Sequence, residues 1–385
     1  MSAVIAGVEH ARDARAVAAP ARVALLGTGT VGRAVLARLA GWSGTPLGTR
    51  VSLVHVANTR RVLADAGGLC PRRAGAAFHA RLAEAPACGV DALQAQDAKA
   101  ERYGLVATLG QLGTRIVIDA TASEAVAGQH AQWLAQGIHV VTACKLGQGT
   151  SLARWRAIQA AAAHGGSQYG DSATVGAGLP LLRSLRELQA GGDRIHAVAG
   201  VLSGSLAWLF NYYDGLRPFS AFVRAARVAG YTEPDPRDDL SGEDVRRKLL
   251  ILARAAGVQL EAGEVEVSSL VPPQLAALSA GEVDAALPSL DATLRERFAQ
   301  AWKAGGKLRF IARLERDACG GAQARVGLET LAFDHPLAGG TGTDNRVAIW
   351  SDRYREQPLL IQGPGAGAQV TAAGLLDDVL RIAGR

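Results

Sequence analysis

Apolar and polar positions change their period several times along the chain, and each change predicts an element. Arg22 to Leu26 is a short apolar strand that runs straight into Gly27-Thr28-Gly29-Thr30-Val31-Gly32, after which Ala34, Val35, Leu36 and Leu39 recur at helical spacing. A second strand follows at Val51 to Ala57. Further on, Arg115 to Ala120 reads as a buried strand, Glu124 to Gln136 as a helix stopped by Gly137, and Ile138 to Ala143 as the next strand. Such strand-helix-strand units predict a parallel, doubly wound sheet. Residues 62–110 mix Gly, Pro and Arg with Ala-rich stretches and give no clear period. In the second half, a Gly-rich turn enters a helix near Leu179, a strand runs from His196 to Leu202, and a helix passes through Trp208, Leu209 and Phe210. Leu308 to Leu314 alternates against Ala324 to Phe333 across Gly320-Gly321, and Arg346 to Ser351 against Pro358 to Gln362, which predicts an antiparallel sheet. The fold class is therefore α/β: a Rossmann-like, doubly wound nucleotide-binding domain over residues 21–170, completed by 363–385, with an α+β catalytic and dimerisation domain over 171–362. Residues 1–20 read as a flexible, dispensable tail.

One segment combines this patterning with reactive side chains. In Tyr231-Thr-Glu-Pro-Asp-Pro-Arg-Asp-Asp-Leu-Ser-Gly-Glu-Asp-Val-Arg-Arg-Lys248, Ser241 is placed as an N-cap with Asp244 three residues on, so a helix is expected to begin near Gly242. On that helix Asp244 and Lys248 stand four apart and share a face, while Val245, Leu249 and Leu252 form an apolar stripe beside them. Pro234 and Pro236 stiffen a turn that would present Glu233, Asp235, Asp238 and Asp239 toward the same helix end. A solvated ion pair after an acidic loop is the plain alternative.

Composition narrows the field. A chain of 385 residues with 49% hydrophobic content is long enough for two or more cored domains. No apolar run approaches the roughly 18 residues that span a bilayer, and no clear leader pattern opens the chain, so a cytoplasmic, non-membrane protein is expected. The four cysteines, Cys70, Cys88, Cys144 and Cys319, are widely spaced without a CxxC or a Cys/His cluster, which points to reduced thiols rather than disulfides or zinc. The net charge of +6 comes from scattered arginines and aromatics are only 5%, a poor match to nucleic acid and a better one to an anionic small molecule.

The strand, glycine turn and helix at 22–39 suit a dinucleotide. Gly27 makes the tight turn, Gly29 leaves room for a pyrophosphate, Gly32 lets helix pack on strand, and the helix start at Thr30 and Val31 offers free N–H groups. After the second strand comes Asn58-Thr59-Arg60-Arg61, where an NAD-specific site would place a carboxylate. Arginine there can meet a 2′-phosphate instead, so NADP is expected to be preferred, with NAD as an alternative and solvent-facing arginines as the plain reading. Thr121 to Ser123 and Lys145 lie just past strand ends, on the edge where doubly wound sheets bind ligands. Cys144 has no identifiable histidine base tied to it.

Taken in order, Gly27 to Gly32, Val141-Thr-Ala-Cys-Lys145, Val175-Gly-Ala-Gly-Leu-Pro180, Gly200-Val-Leu-Ser-Gly-Ser205, Tyr231 to Lys248, and the closing Gly363-Pro-Gly-Ala-Gly367 and Val370-Thr-Ala-Ala-Gly374 resemble homoserine dehydrogenase from about residue 20 to 385. The resemblance is to the monofunctional short form, without a kinase domain before it or a regulatory domain after it. It implies reversible NAD(P)-dependent interconversion of L-homoserine and L-aspartate 4-semialdehyde, in threonine and methionine biosynthesis, by a homodimer. Lys248 then corresponds to the general acid/base, Asp244 to its partner and a substrate contact, and Lys145 to the lysine near nicotinamide and substrate. Glu233 and Asp239 correspond to holders of the substrate ammonium, Gly204 and Ser205 to the substrate loop with Tyr231 beside it, and Gly230, Glu233 and Gly367 to positions near the cofactor.

Independently of the resemblance, a reductase must supply a proton to a developing alkoxide, and a lysine does so near neutral pH if burial or a second cation such as Lys145 lowers its pKa. Two departures stand out. The family's asparagine before the lysine is Cys144 here. Where the family carries a glutamate that helps bind sodium, this chain has Asp171-Ser172, leaving the carbonyls of Val175, Ala177 and Leu179 as the expected sodium ligands, against the plain reading of a Gly-rich turn. The remaining alternatives are a related dehydrogenase of another hydroxy or oxo amino acid, a Cys144-based aldehyde dehydrogenase, and a catalytically silent nucleotide sensor.

Overall fold

A computed structural model of the chain describes residues 19–79, 102–317 and 319–384. The expected tail up to residue 18, Cys88 and the 80–101 part of the unassigned stretch lie outside the described residues. The N-terminal elements are β1 (Ala21–Leu26), α1 (Thr30–Gly41), β2 (Val51–Ala57), β3 (Val62–Ala64), α2 (Pro71–His79), α3 (Arg102–Leu109), β4 (Arg115–Asp119), α4 (Glu124–Ala127), α5 (His130–Ala135), β5 (His139–Thr142), α6 (Leu152–Gly165) and β6 (Tyr169–Gly170). They form a six-stranded sheet in the order β3-β2-β1-β4-β5-β6, parallel except for the edge pair β2–β3.

Alternation explains the two covered faces of this sheet. Val23, Leu25, Ile116 and Ile118 point to the side of α1, while Ala24, Leu26 and Val117 pack with Trp133, Leu134 and Ile158 on the other side. The strand order reverses between β1 and β4, which leaves a crevice at their carboxyl ends. The helix expected from Glu124 to Gln136 is two pieces, α4 and α5. Gly128 ends α4 and the chain re-enters a helix after Gln129, so His130 begins a new axis.

The chain continues through α7 (Leu181–Ala190), β7 (Ile195–Val201), α8 (Gly204–Tyr212), α9 (Phe219–Val228), α10 (Pro236–Leu240), α11 (Glu243–Ala255), β8 (Val265–Val267), α12 (Pro273–Ala276), α13 (Val283–Ala286), α14 (Asp291–Lys303), β9 (Gly306–Arg316), β10 (Ala322–Ala332), β11 (Asp344–Ser351), β12 (Leu359–Pro364) and α15 (Ala368–Ala383). A second six-stranded sheet runs β12-β11-β7-β9-β10-β8. The two hairpins read from sequence are both present, with Leu308 opposite Thr330 and Arg346 opposite Gln362. The helices pack mainly on one face of this sheet, burying Val245, Leu249 and Leu252 of α11 against Phe310, Ala312 and Leu314 of β9. Finally α15 leaves this sheet and buries Ala372, Leu375, Leu376 and Val379 in the same cluster as α1 and β1.

One helix start differs from the sequence expectation. Gly242, not Ser241, is the N-cap of α11; its φ of +78° is left-handed, and no side-chain cap is present. Ser241 instead closes α10, donating to the Asp238 carbonyl and accepting the Glu243 N–H. The reason is packing: a methyl on Gly242 would come within 3.0 Å of the Phe310 ring, so only glycine both turns the chain and fits beneath that ring.

Candidate active site

The crevice at the switch point opens as two adjoining clefts. The first, of about 820 Å³, is lined by Gly27, Thr28 and Gly29 of the glycine turn and by side chains of the same sheet and its connections, among them His55, Asn58 and Arg60. Gly27 has φ +93°, and a methyl there would lie 2.7 Å from the Ala120 carbonyl oxygen; at Gly32 it would overlap the Gly27 carbonyl. At Gly29 it would meet nothing within 4 Å, so the space over the start of α1 is open. Gly29 caps α1 without a side-chain bond and the first turn carries no acid, leaving the N–H groups of Thr30, Val31 and Gly32 to an incoming anion. These features fit a dinucleotide's pyrophosphate.

Asn58 braces the rim of this cleft. Its Oδ1 accepts the N–H groups of Arg60 and Arg61, and its Nδ2 donates to Thr28 Oγ1 at 2.7 Å. Arg61 spends a donor on the Ala77 carbonyl, whereas Arg60 lines the cleft. His55, which sequence reasoning passed over, is buried on the same wall, and burial holds its imidazole down at about 4. It reaches that face where β2 slips by one residue against β1, Val23 pairing with Leu53 but Ala24 with His55.

The second cleft, of about 540 Å³, shares Ala120, Thr121 and Ala122 with the first. Thr30, Val31 and Gly367 line it beside Lys145, Asp244 and Lys248. Asp244 Oδ2 is 2.8 Å from Lys248 Nζ, and Oδ1 is 3.4 Å from Lys145 Nζ, so one carboxylate bridges two ammonium groups that come from different halves of the chain. Lys248 also donates to the Leu202 carbonyl at 2.8 Å, just before the Ser203-Gly204-Ser205 loop. Burial, reinforced by the neighbouring Lys145, lowers the Lys248 pKa against the pull of Asp244. Burial opposes the charge on Asp244 too, but the Lys248 and Lys145 ammonium groups overcome it and hold the carboxyl at about 2.

Beside this cleft, Ser205 Oγ donates to Asp239 Oδ1, and Asp239 Oδ2 accepts the Glu233 N–H at 2.8 Å. Burial raises the Asp239 pKa even against those bonds. Gly204 opens α8, with Ser203 as the capping residue. Gly230 turns the chain with φ +72°, and the half-exposed Tyr231 ring lies 5.6 Å from Trp208. Gly204, Ser205, Gly230, Tyr231, Glu233 and Asp239 are not on the wall of either cleft. Of the acidic loop, Asp235 is taken up elsewhere: it caps α10 and pairs with Arg237 at 2.6 Å.

In the segment considered for sodium, the acidic and hydroxyl side chains are already bonded. Asp171 is buried in a bidentate pair with Arg186, both bonds 2.6 Å, and the Ser172 N–H and hydroxyl both donate to Asp378. The Leu179 carbonyl accepts the Leu181 N–H at 2.8 Å, and Ala177 holds a left-handed φ of +52°. Among the described residues no group of three or more His, Cys, Asp or Glu could hold a metal. Cys144 is buried and its thiol is pushed up to about 11 by burial and by Asp119, so it is protonated at neutral pH. Beneath these groups lies a buried chain that the sequence did not reveal: Asp119 accepts from Thr121 Oγ1 (2.6 Å) and meets His130 Nε2 (3.0 Å), whose Nδ1 is 2.9 Å from the Tyr169 hydroxyl.

A glycine turn over an open helix start, continuous with a cleft in which two lysines share one carboxylate, fits a nicotinamide-dependent oxidoreductase. Comparison with known proteins agrees. The family model "Homoserine dehydrogenase" matches residues 180–380, and "Homoserine dehydrogenase, NAD binding domain" matches 27–169. A homoserine dehydrogenase of Emericella nidulans is 38% identical over 281 residues, 70% of this chain and 76% of that protein. A chloroplastic bifunctional aspartokinase/homoserine dehydrogenase 2 of Zea mays is 43% identical over 270 residues, 70% of this chain but only 29% of the maize protein's length. Among solved structures, a Candida auris protein of unknown function superposes with a TM-score of 0.82 at 32% identity, covering 95% of this chain and 99% of that one. The chain belongs to the homoserine dehydrogenase family, which are NAD(P)-dependent oxidoreductases.

Proposed function

We propose that this chain catalyses the reversible interconversion of L-homoserine and L-aspartate 4-semialdehyde, with Lys248 as the acid/base, in the route to threonine and methionine. The observation that carries this reading is the Lys145–Asp244–Lys248 bridge at the end of the dinucleotide crevice. The nicotinamide supplies the hydride acceptor or donor. An ammonium has three donors, and Lys248 uses two of them on Leu202 and Asp244; the third serves the substrate oxygen. In oxidation the neutral amine takes the hydroxyl proton, and in reduction the ammonium returns it. Asp244 and Lys145 orient the amine and tune its pKa, while Glu233 and Asp239 receive the substrate ammonium, Asp239 being held by Ser205 of the Gly204–Ser205 substrate loop, with Tyr231 nearby.

The cofactor occupies both clefts in this reading. Gly27, Gly29 and the Thr30 and Val31 N–H groups would hold its pyrophosphate, with Asn58 and Thr121 beside them, and Lys145 and Gly367, with Gly230 and Glu233, would meet the nicotinamide end. Arg60, unlike Arg61, lines the cleft and is the group to meet a 2′-phosphate, which supports NADP as the preferred cofactor. A sodium ion fits poorly on the carbonyls of Val175, Ala177 and Leu179, because the nearby carboxylates are already neutralised or bonded. No step is assigned to it. Residues 21–170 with 363–385 form the dinucleotide lobe, 171–362 the catalytic lobe, and the second sheet is the surface for a homodimer. Among the described residues no helix is long and apolar enough to cross a membrane.

The test is steady-state oxidation of L-homoserine, alongside other hydroxy amino acids, with NADP and NAD. Turnover selective for homoserine is expected. Cofactor binding without turnover would replace this reading with a nucleotide sensor, and selectivity for another hydroxy amino acid would reassign the substrate.

A further inference from the structure

Lys145 lies on the loop after β5, while Asp244 and Lys248 lie on α11, so their meeting depends on what joins loop to helix. Arg254, on the same helix, is only 3% exposed yet has no carboxylate partner among the described residues. Its guanidinium donates instead to three carbonyls: Gln148 through Nη1, and Thr150 (2.9 Å) and Leu260 (2.8 Å) through Nη2. Two of those carbonyls belong to the loop that carries Lys145. That loop folds back on itself through the Gly149 N–H to the Lys145 carbonyl (2.6 Å), so fixing Gln148 and Thr150 fixes Lys145. Gly149 is the point of closest approach: a methyl there would stand 2.8 Å from the Lys145 carbonyl oxygen and 3.2 Å from that of Arg247 on α11.

We propose that Arg254 is a positioning residue for the reaction: it clasps the 145–150 loop to α11 and so holds the Lys145 ammonium against Asp244. The helix acts as a ruler. Six residues at 1.5 Å each place Arg254 roughly 9 Å along the axis from Lys248, and ten place it roughly 15 Å from Asp244. A charge costs a great deal to bury, and bonding it only to neutral carbonyls recovers part of that cost; what it gains is a three-point fork whose geometry a lysine cannot copy. Burial pulls the Arg254 pKa down to about 10, with Glu261 pulling the other way, so the group is still charged through the neutral range.

The consequence falls on Lys248. The charged groups around its amine are Asp244 on its own helix, Lys145 on the loop and Asp239 on α10, and Lys145 helps to lower its pKa. Releasing the loop withdraws Lys145, so the Lys248 pKa rises and the pH limb governed by its deprotonation moves to higher pH. This inference rests on the proposed homoserine chemistry, and wild-type turnover tests that separately.

The experiment measures kcat, KM and pH profiles for homoserine oxidation in Arg254→Lys, Lys145→Met and their double variant, with NADPH affinity by fluorescence and melting temperature alongside. Expected for Arg254→Lys is a loss in kcat on the order of 10- to 100-fold, as for a misplaced reacting group. NADPH affinity should hold, the pH limb should move upward as in Lys145→Met, and the double variant should be no worse than the more severe single one. Gly149→Ala keeps Arg254 but wedges the loop from the helix, and the same upward shift is expected; it supplies the test if Arg254→Lys does not fold. An unmoved limb in the folded variants, or losses that multiply in the double variant, would overturn the proposal. A wild-type chain inactive on homoserine would instead overturn the reaction assignment.

Discussion

The two adjoining clefts are built from different material. Around the first, Gly27 and Gly29, with Gly32 packed tightly behind them, define the shape, and every lining residue belongs to the N-terminal sheet and its connections. Around the second, Lys145, Asp244 and Lys248 are side chains contributed from both halves of the chain, held by Arg254 and Leu202. The first can be damaged by adding atoms where there is no room; the second by removing a charge or relaxing a contact. A binding surface made by one lobe should survive changes that empty the reacting end, so affinity for the cofactor and rate of the chemical step should separate cleanly on mutation.

The sharpest separation is expected at Lys248. Lys248→Ala removes the proposed proton carrier and leaves Asp244 paired with Lys145 alone, so kcat should fall by about 10²- to 10⁴-fold. NADPH affinity should change little, because no bond to the glycine turn is lost. Wild-type kcat in a folded Lys248→Ala protein would remove the acid/base assignment. For the wild-type enzyme, the same lowered pKa gives opposite slopes in the two directions. Oxidation needs the free amine and should rise with pH through a midpoint below the ordinary lysine value of 10.5; reduction needs the ammonium and should fall through the same point.

At the other cleft the effect should be smaller and confined to the cofactor. Arg60→Ala deletes a charge-assisted contact to a 2′-phosphate, worth about 1.5–3 kcal/mol, so KM for NADP should rise roughly 10- to 100-fold. KM for NAD and kcat should hold. Equal losses with both cofactors would mean that Arg60 shapes the rim rather than reading the phosphate.

The same contrast decides what could be read from the sequence. The glycine turn and the strand Val51–Ala57 were legible to the residue because their causes are local: three glycines at fixed spacing, two of which leave no room for a side chain, and a short apolar run buried over its last five positions. The Asp244–Lys248 pair was legible for a similar reason, being one helical turn. Arg254 was not, since its partners Gln148 and Thr150 lie 106 and 104 residues away and are backbone carbonyls, which leave no trace in side-chain pattern. The Asp119–His130–Tyr169 chain was hidden in the same way, and His55 owes its place to a slip in strand register. Ser241 misled because a good capping residue stood one position before a glycine that a distant phenylalanine requires.

The smallest effect should appear where the substrate ammonium is received, between the two extremes. Asp239 must be ionised to attract that ammonium, yet burial already raises its pKa, and the Ser205 hydroxyl is one of two donors that restrain the rise. Ser205→Ala removes that donor and keeps the Glu233 N–H, so a single hydrogen bond worth about 1–2 kcal/mol is lost. KM for homoserine should then rise only several-fold near pH 8, with kcat and both cofactor constants steady. As pH falls, a carboxyl with a higher pKa is protonated earlier, so the penalty should widen and the acid limb of kcat/KM should move to higher pH. If the limb stays in place while KM rises by a constant factor, Ser205 contacts the substrate itself and does not act through Asp239.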